Sequence, residues 1–248
     1  MPEPRQLDRP PIAEAVCEFR FSPSSPWDSA IPGQVYQALS GTLFPKKRTE
    51  QVVEAKLSAT GKGLTQHVGT AEALVILSQD ERQFARIAER RLSVHRVAPY
   101  ESWSQFLPVI EQTLDEVLAV AAPCELQRVG LRYINRIEFP SESIDVDEHF
   151  QFCLKVGKEL HQSYGQFMAG AVFHNYQDGR DALRIQLSSS GSAPNTTLSL
   201  ILDLDYFLTQ PALLSVDGVS GWLSDAHGAI EEAFFAAITE KTLALFEG

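Results

Sequence analysis

Residues 128–139 read RVGLRYINRIEF, and the spacing of apolar side chains in this stretch decides the fold class. Apolar and polar residues alternate, and a β-strand turns successive side chains to opposite faces. This period of two therefore predicts a strand with one buried face and one solvent face. The residues predicted to be buried are Val129, Leu131, Tyr133, Ile137 and Phe139. The residues predicted on the solvent side are Arg128, Arg132, Arg136 and Glu138.

The same alternation occurs near the N-terminus and again in the last quarter of the chain. In residues 15–21 the apolar set occupies the odd positions, and its members are Ala15, Cys17, Phe19 and Phe21. In residues 198–207 leucines occupy every second position, and Asp203 and Asp205 fall on the solvent side. Both stretches are therefore predicted to be half-buried strands.

Helices are predicted where apolar residues recur at three- and four-residue steps. Residues 102–121 show this pattern most clearly, with Ser102 as the N-terminal cap. A shorter helix is predicted to end before Pro45. Asp145 and Asp225 are each placed to cap a further helix, the second of them closing the chain.

The predicted elements occur in the same order twice, which suggests an α+β fold. Each half opens with a strand, passes through a helix and hairpin-linked strands, and closes with an amphipathic helix. We expect two β-α-β-meander-α pseudo-repeats, over residues 1–122 and 123–248, that form a curved antiparallel sheet with helices on one face. The alternative is a single helix-grip fold, in which a long C-terminal helix crosses one strongly bent sheet.

Composition restricts the class of protein and its partners. The chain has 44% hydrophobic and 21% charged residues, as in ordinary soluble globular proteins, and it has neither an export signal nor an apolar run of membrane-spanning length. The cysteines, Cys17, Cys124 and Cys153, form no C-x-x-C pair and are predicted to be free thiols of a cytoplasmic protein. A net charge of −11 argues against nucleic-acid binding, which needs a surplus of lysine and arginine.

The regularly spaced arginines are the first candidate for a binding site. Arg128, Arg132 and Arg136 share the solvent side of one strand, and Asp203 and Asp205 share the solvent side of another. If the strands are neighbours, arginines and aspartates form cross-strand ion pairs. In the functional interpretation the arginines instead hold an anionic ligand or an acidic partner surface through bidentate contacts.

Asn135 is a second candidate, because alternation places its amide on the buried face. A buried amide is costly unless its hydrogen bonds are satisfied. Asn135 therefore either bridges backbone groups at a strand irregularity or lines a ligand pocket.

The sequence predicts no catalytic residue, cofactor or metal ion. Asp203 and Asp205 form a D-x-D pair of the kind that holds Mg²⁺ in nucleotidyl transferases, but neither a third acidic ligand nor a phosphate-binding loop accompanies them. The acidic run at residues 145–148 is typical of the first turn of a helix. Motifs such as G-x-S-x-G and H-E-x-x-H are absent from the sequence.

Three stretches resemble a sporadically distributed bacterial protein family of similar length, to which no activity is assigned. They are RPPIAEAVCEFRF at residues 9–21, VGLRYINRI at residues 129–137 and LDLD at residues 202–205. The resemblance covers nearly the whole chain. It implies an accessory protein, such as a component of a stress, defence or toxin–antitoxin system, and assigns no catalytic residue.

Together these observations favour a non-enzymatic cytoplasmic binding module that uses the helix-free face of its sheet. The expected partner is a protein or a small anionic ligand, and an exposed sheet edge or face would also permit a homodimer. The alternatives are a metal-dependent enzyme that acts on a nucleotide or phosphate substrate through Asp203 and Asp205, and nucleic-acid binding through the sheet face.

Overall fold

The computed structural model describes residues 7–60, 63–121, 125–141, 143–161, 165–190 and 198–247, and describes side chains outside residues 52–71. These residues form an open antiparallel sheet of nine strands together with five α-helices. The predicted α+β class and the antiparallel sheet are therefore confirmed.

Most consecutive strands are joined as hairpins, and one strand opens each half of the chain. They are β1 Ile12–Phe21, β2 Lys46–Thr60, β3 Gly63–Leu77, β4 Gln83–Ala88, β5 Arg91–Val97, β6 Leu126–Glu138, β7 Met168–Tyr176, β8 Asp181–Ser189 and β9 Ser199–Leu208. Their order in the sheet is β2-β3-β4-β5-β1-β6-β9-β8-β7. The helices are α1 Ile31–Leu39, α2 Trp103–Ala121, α3 Val146–His149, α4 Val219–Ala237 and α5 Glu240–Leu243.

The chain divides into two compact units. Unit 1 comprises Met1–Val16, Val97–Glu101 and Gly130–Gly248, and unit 2 comprises Cys17–Arg96 and Ser102–Val129. The strands β1 and β6 each contribute residues to both units.

In unit 2 the core forms where α1 and α2 pack together and against the sheet. Val35 and Leu39 of α1 are fully buried, as the three- to four-residue spacing requires. The buried stripe of α2 consists of Phe106, Val109, Ile110, Thr113, Leu114, Val117 and Ala121. From the sheet, Ile87 and Val94 are fully buried, and so is Cys17, which is a free thiol.

In unit 1 the helix α4 packs against β9. The rings of Trp222 on α4 and Tyr206 on β9 lie 5.6 Å apart, and both side chains are buried. The inward face predicted for residues 198–207 is confirmed, since Leu200, Leu202 and Leu204 are buried on this side.

One predicted helix start is wrong, and one predicted helix cap is confirmed. The last long helix begins at Val219 and not at Asp225, because its apolar stripe starts with Val219 and Trp222, before the acidic residue that resembles a cap. Asp145 does cap a helix, accepting a hydrogen bond from the backbone N of Asp147 at 3.1 Å, but that helix has only four residues. It stops because Gln151 turns away and donates its backbone N–H to Ala237.

The strands β2 and β3 pair antiparallel from Lys46 opposite Leu77 to Thr60 opposite Gly63. Gly61, Lys62 and Cys124 lie outside the described residues. Within the described ranges, none of the helices has the length and apolarity needed to cross a membrane.

Candidate functional site

Both predicted aspartates, one predicted arginine and a further arginine, Arg184, lie together on three neighbouring strands of unit 1. Asp205 on β9 is opposite Arg132 on β6 and opposite Arg184 on β8. Because residues opposite one another in an antiparallel pair share a face, all three project from the side of the sheet that does not carry the leucines of β9. We call the surface formed by Arg132, Arg184, Asp203 and Asp205 the charged face.

Arg132 holds Asp203 with two parallel hydrogen bonds. Its Nε donates to Oδ1 of Asp203 at 2.7 Å, and its Nη2 donates to Oδ2 at 2.6 Å. Asp203 is displaced by two residues from the position opposite Arg132, so the guanidinium lies diagonally across the strand pair. This bidentate geometry fixes the plane of the guanidinium and is among the strongest contacts that charged side chains make.

Arg184 forms the second ion pair of the charged face. Its Nη2 donates to Oδ2 of Asp205 at 3.0 Å. Arg184 was not among the residues singled out from the sequence. The signal was present, because Arg184 stands between Leu183 and Ile185 in an apolar alternation and therefore belongs to the solvent side of its strand.

Asp203 and Asp205 lie on the predicted face of their strand, but they are buried and not exposed to solvent as predicted. Their side chains are only 5% and 7% exposed, whereas those of Arg132 and Arg184 are each 41% exposed. The physical reason is that the long arginine stems lie over the short carboxylates and exclude water from them. The charged face thus presents guanidinium groups outward and keeps its carboxylates beneath.

The electrostatics of this pair favour a permanently charged arginine. The hydrogen bonds that Arg132 donates to Asp203 raise the pKa of Arg132, although partial burial acts in the opposite direction. Arg132 therefore remains a cation throughout the biological pH range.

The other predicted arginines are held by different carboxylates. Arg136 belongs to unit 1, and its Nε lies 3.1 Å from Glu138 in an exposed pair. Arg128 belongs to unit 2, and its Nε lies 3.4 Å from Glu18. The predicted set is therefore divided, since Arg132 holds Asp203 whereas Arg136 pairs with Glu138 and Arg128 with Glu18.

Asn135 is buried on the opposite face, as the alternation predicts. Its Nδ2 donates to the backbone carbonyl of Leu202 at 3.1 Å, and Leu202 is the residue directly opposite on β9. The amide is therefore satisfied by a backbone carbonyl within the regular β6–β9 ladder, and a role for Asn135 in a ligand pocket stays a prediction.

A second polar cluster lies on the helix-covered side of unit 1, around Asp181. Its carboxylate accepts hydrogen bonds from Nε1 of Trp222 at 2.9 Å, from the hydroxyl of Tyr206 at 3.1 Å and from Nη2 of Arg180 at 2.7 Å. Burial, reinforced by the neighbouring Asp181, raises the pKa of Tyr206 and keeps the phenol neutral. Because the carboxylate receives donors at both oxygens, this cluster serves to attach α4 to the sheet.

The charged face has cationic groups that can recognise an anion. Both carboxylate oxygens of Asp203 accept hydrogen bonds from Arg132, and the described residues contain no group of three or more His, Cys, Asp or Glu side chains arranged to hold a metal ion. The side chains of Arg132 and Arg184 are each 41% exposed, and guanidinium N–H donors suit carboxylate or phosphate oxygens.

Comparison with known proteins identified no relative of this chain. Neither a protein-family model, nor a curated protein, nor a solved structure matches the chain. The bacterial family resemblance carried by residues 9–21, 129–137 and 202–205 stays a prediction.

Proposed function

We propose that the protein is a non-enzymatic cytoplasmic binding module that recognises an acidic surface of a partner protein through its charged face. One observation carries the proposal: Arg132 and Arg184 are each 41% exposed while the carboxylates that orient them are buried. The arginines are thus fixed before any partner arrives, so binding does not have to immobilise these long side chains.

The residues around the arginines also suit a protein partner. Ile134 and Ile201 stand on the same side of their strands and are partly exposed, and Phe207 flanks the ion pairs in the same way. Arginine combined with aliphatic and aromatic side chains is the composition enriched in protein interfaces. A small anionic ligand would use the guanidinium groups alone, and it is the competing form of this proposal.

The test removes the guanidinium without leaving a buried carboxylate unpaired. The double variant Arg132→Gln with Asp203→Asn replaces the ion pair by two amides and leaves the net charge unchanged. The matched control, Lys46→Gln with Glu81→Gln, removes an exposed ion pair of 2.9 Å from unit 2. Tagged wild type and both variants are used to capture partners from cells of the source organism, and each captured protein is then purified and titrated.

We expect one partner to bind the wild type and the control equally, and the Arg132→Gln/Asp203→Asn variant at least about tenfold more weakly. Its affinity should fall with rising salt, since the contact is between exposed charges. If every purified partner binds the variant as tightly as the wild type, the charged face is not the binding site. A thermal shift with phosphate or citrate that disappears in the variant would support the small-anion form instead.

We further propose that the two halves of the chain are pseudo-repeats with their helices on one face of a curved sheet. In the first half, the opening strand β1 neighbours β5, the last strand of its meander, followed by β4, β3 and β2. In the second half, β6 neighbours the last strand β9, followed by β8 and β7. The same order of neighbours supports duplication of one unit, and an accessory bacterial role follows from the family resemblance.

A further inference from the structure

The strand β7 ends the sheet and has a neighbour on one side only. Met168–Phe173 pairs residue by residue with β8, and the ladder then shifts register before Tyr176. None of the described strands pairs with the other side of β7. A strand in this position offers a row of backbone N–H and C=O groups to another strand.

The side chains of β7 are unusually apolar for an exposed edge. Among the described residues, five large hydrophobic side chains are exposed, and three of them belong to this strand. They are Met168, Val172 and Phe173, with 67%, 43% and 42% of their surface exposed. Apolar side chains gathered on one open edge indicate an interaction surface.

The edge strand β7 also lacks the devices that normally prevent association. Met168–Tyr176 contains neither proline nor any lysine, arginine, aspartate or glutamate. The strand at the other end of the order, β2, is rich in charge, with Lys46, Lys47, Arg48, Glu50, Glu54 and Lys56. Charged side chains, lysine above all, protect edges from pairing, so the protection is present on β2 and missing on β7.

We propose that β7 pairs antiparallel with β7 of a second copy of this chain, which makes the protein a two-fold symmetric dimer. The absence of charged side chains from β7 favours a second copy of the same strand as its partner. A two-fold axis brings a strand against itself, so a charged residue close to the axis would approach its own copy, which has the same charge. An uncharged strand such as β7 meets its own copy without that repulsion.

Symmetry also determines which side chains meet. An axis perpendicular to the sheet keeps the two faces separate, so residues at even positions pair only with residues at even positions. With the axis at Ala171, Gly170 of one copy is opposite Val172 of the other, and Phe173 is opposite Ala169. Val172 and Phe173 are thus each opposed by a small residue, and the two copies of Val172 lie on either side of the axis.

The test is the mass of the purified protein in solution, measured by analytical ultracentrifugation over a range of micromolar concentrations. We expect the wild type to have twice the 27.5 kDa mass of one chain. Val172→Lys places two lysines close to the axis and should give the single-chain mass at concentrations where the wild type is dimeric. Leu213→Lys is the matched control, because Leu213 is 60% exposed and lies in a 3-10 turn outside β7.

Each outcome decides the proposal. A wild type that is monomeric at every concentration overturns it, and so does a Val172→Lys variant that stays dimeric. A Leu213→Lys variant that also dissociates overturns it too, because association would then depend on apolar surface in general. If Val172→Lys loses its folded circular dichroism spectrum, Met168→Lys replaces it with the same expected result. No ligand is involved, so this measurement is independent of the binding proposed for the charged face.

Discussion

The contact between Arg132 and Asp203 can be tested by a double-mutant cycle. Arg132→Gln, Asp203→Asn and the combined variant are compared with the wild type for their free energy of unfolding. The coupling energy is the part of the combined loss that the two single losses do not explain, and it isolates the interaction between the two side chains.

The structure gives the expected magnitude. The pair has two hydrogen bonds between charged groups, at 2.7 and 2.6 Å, and bonds of this kind contribute about 1.5–3 kcal/mol each. Exposed ion pairs contribute only about 0.2–1 kcal/mol, because water screens them. Asp203 is buried but Arg132 is 41% exposed, so we expect an intermediate coupling energy of about 1.5–3 kcal/mol for the whole pair.

The assay is urea unfolding followed by circular dichroism, since urea does not add salt to the solution. The same cycle on Arg136 and Glu138 serves as the control, because that pair has an N–O distance of 3.1 Å and both side chains are more than half exposed. We expect a coupling energy of less than about 0.5 kcal/mol there. Equal, small values for both pairs would refute the argument that Asp203 fixes the guanidinium of Arg132.

Two further predictions concern the helix-covered side of unit 1. Asp181→Ala leaves the donors of Trp222 and Tyr206 buried without an acceptor, so we expect urea unfolding to show a loss of about 3–5 kcal/mol. Asp217→Ala, at an exposed position, should cost less than about 0.5 kcal/mol, and similar losses in the two variants would contradict the network's role. Burial lowers the pKa of His227 to about 4, so between pH 6.5 and 4 the unfolded chain binds a proton that the folded chain does not, and stability falls with pH. His227→Gln should lose about 2 kcal/mol less than the wild type between pH 7.5 and 5, and identical losses would contradict this cause.

The sequence predicted faces well because burial on a strand follows a short-range rule. The period of two in residues 128–139 placed Leu131 and Tyr133 inside and Arg132 outside, and the structure has them so. Asn135 was assigned to the buried face on the same ground. A rule that depends only on neighbouring positions in the chain needs no knowledge of the tertiary fold.

The burial of the aspartates could not be predicted in this way. Asp203 is covered because Arg132 reaches diagonally across the strand pair, and that reach depends on a register between residues far apart in sequence. Alternation assigns a side chain to one face of the sheet, but it does not predict which other side chains cover it. The length of α3 could not be predicted for a related reason. The helix ends where Gln151 donates its backbone N–H to Ala237, a residue far away in the sequence.

The two halves contain the same kind of ion pair with the charges exchanged. In unit 2, Glu18 of the opening strand β1 accepts a hydrogen bond of 2.8 Å from Nε of Arg91 on β5. In unit 1 the opening strand β6 supplies the arginine, and the last meander strand β9 supplies the carboxylate of Asp203. Each pair links an opening strand to the last strand of its own meander, which is a structural role.

In the two halves the charged groups around these ion pairs are arranged differently toward solvent. Burial by itself would raise the pKa of Glu18, but Arg91 and Arg20 lower it, so this carboxylate is ionised and enclosed by arginines. Around Asp203 and Asp205 the carboxylates are again beneath and the arginines above. Pairing therefore stabilises both halves, but the arginines are distributed differently. In unit 2, Arg20, Arg91 and Arg128 converge on the single carboxylate of Glu18. In unit 1, Arg132 and Arg184 each have a carboxylate of their own, and the proposed recognition depends on these two arginines together.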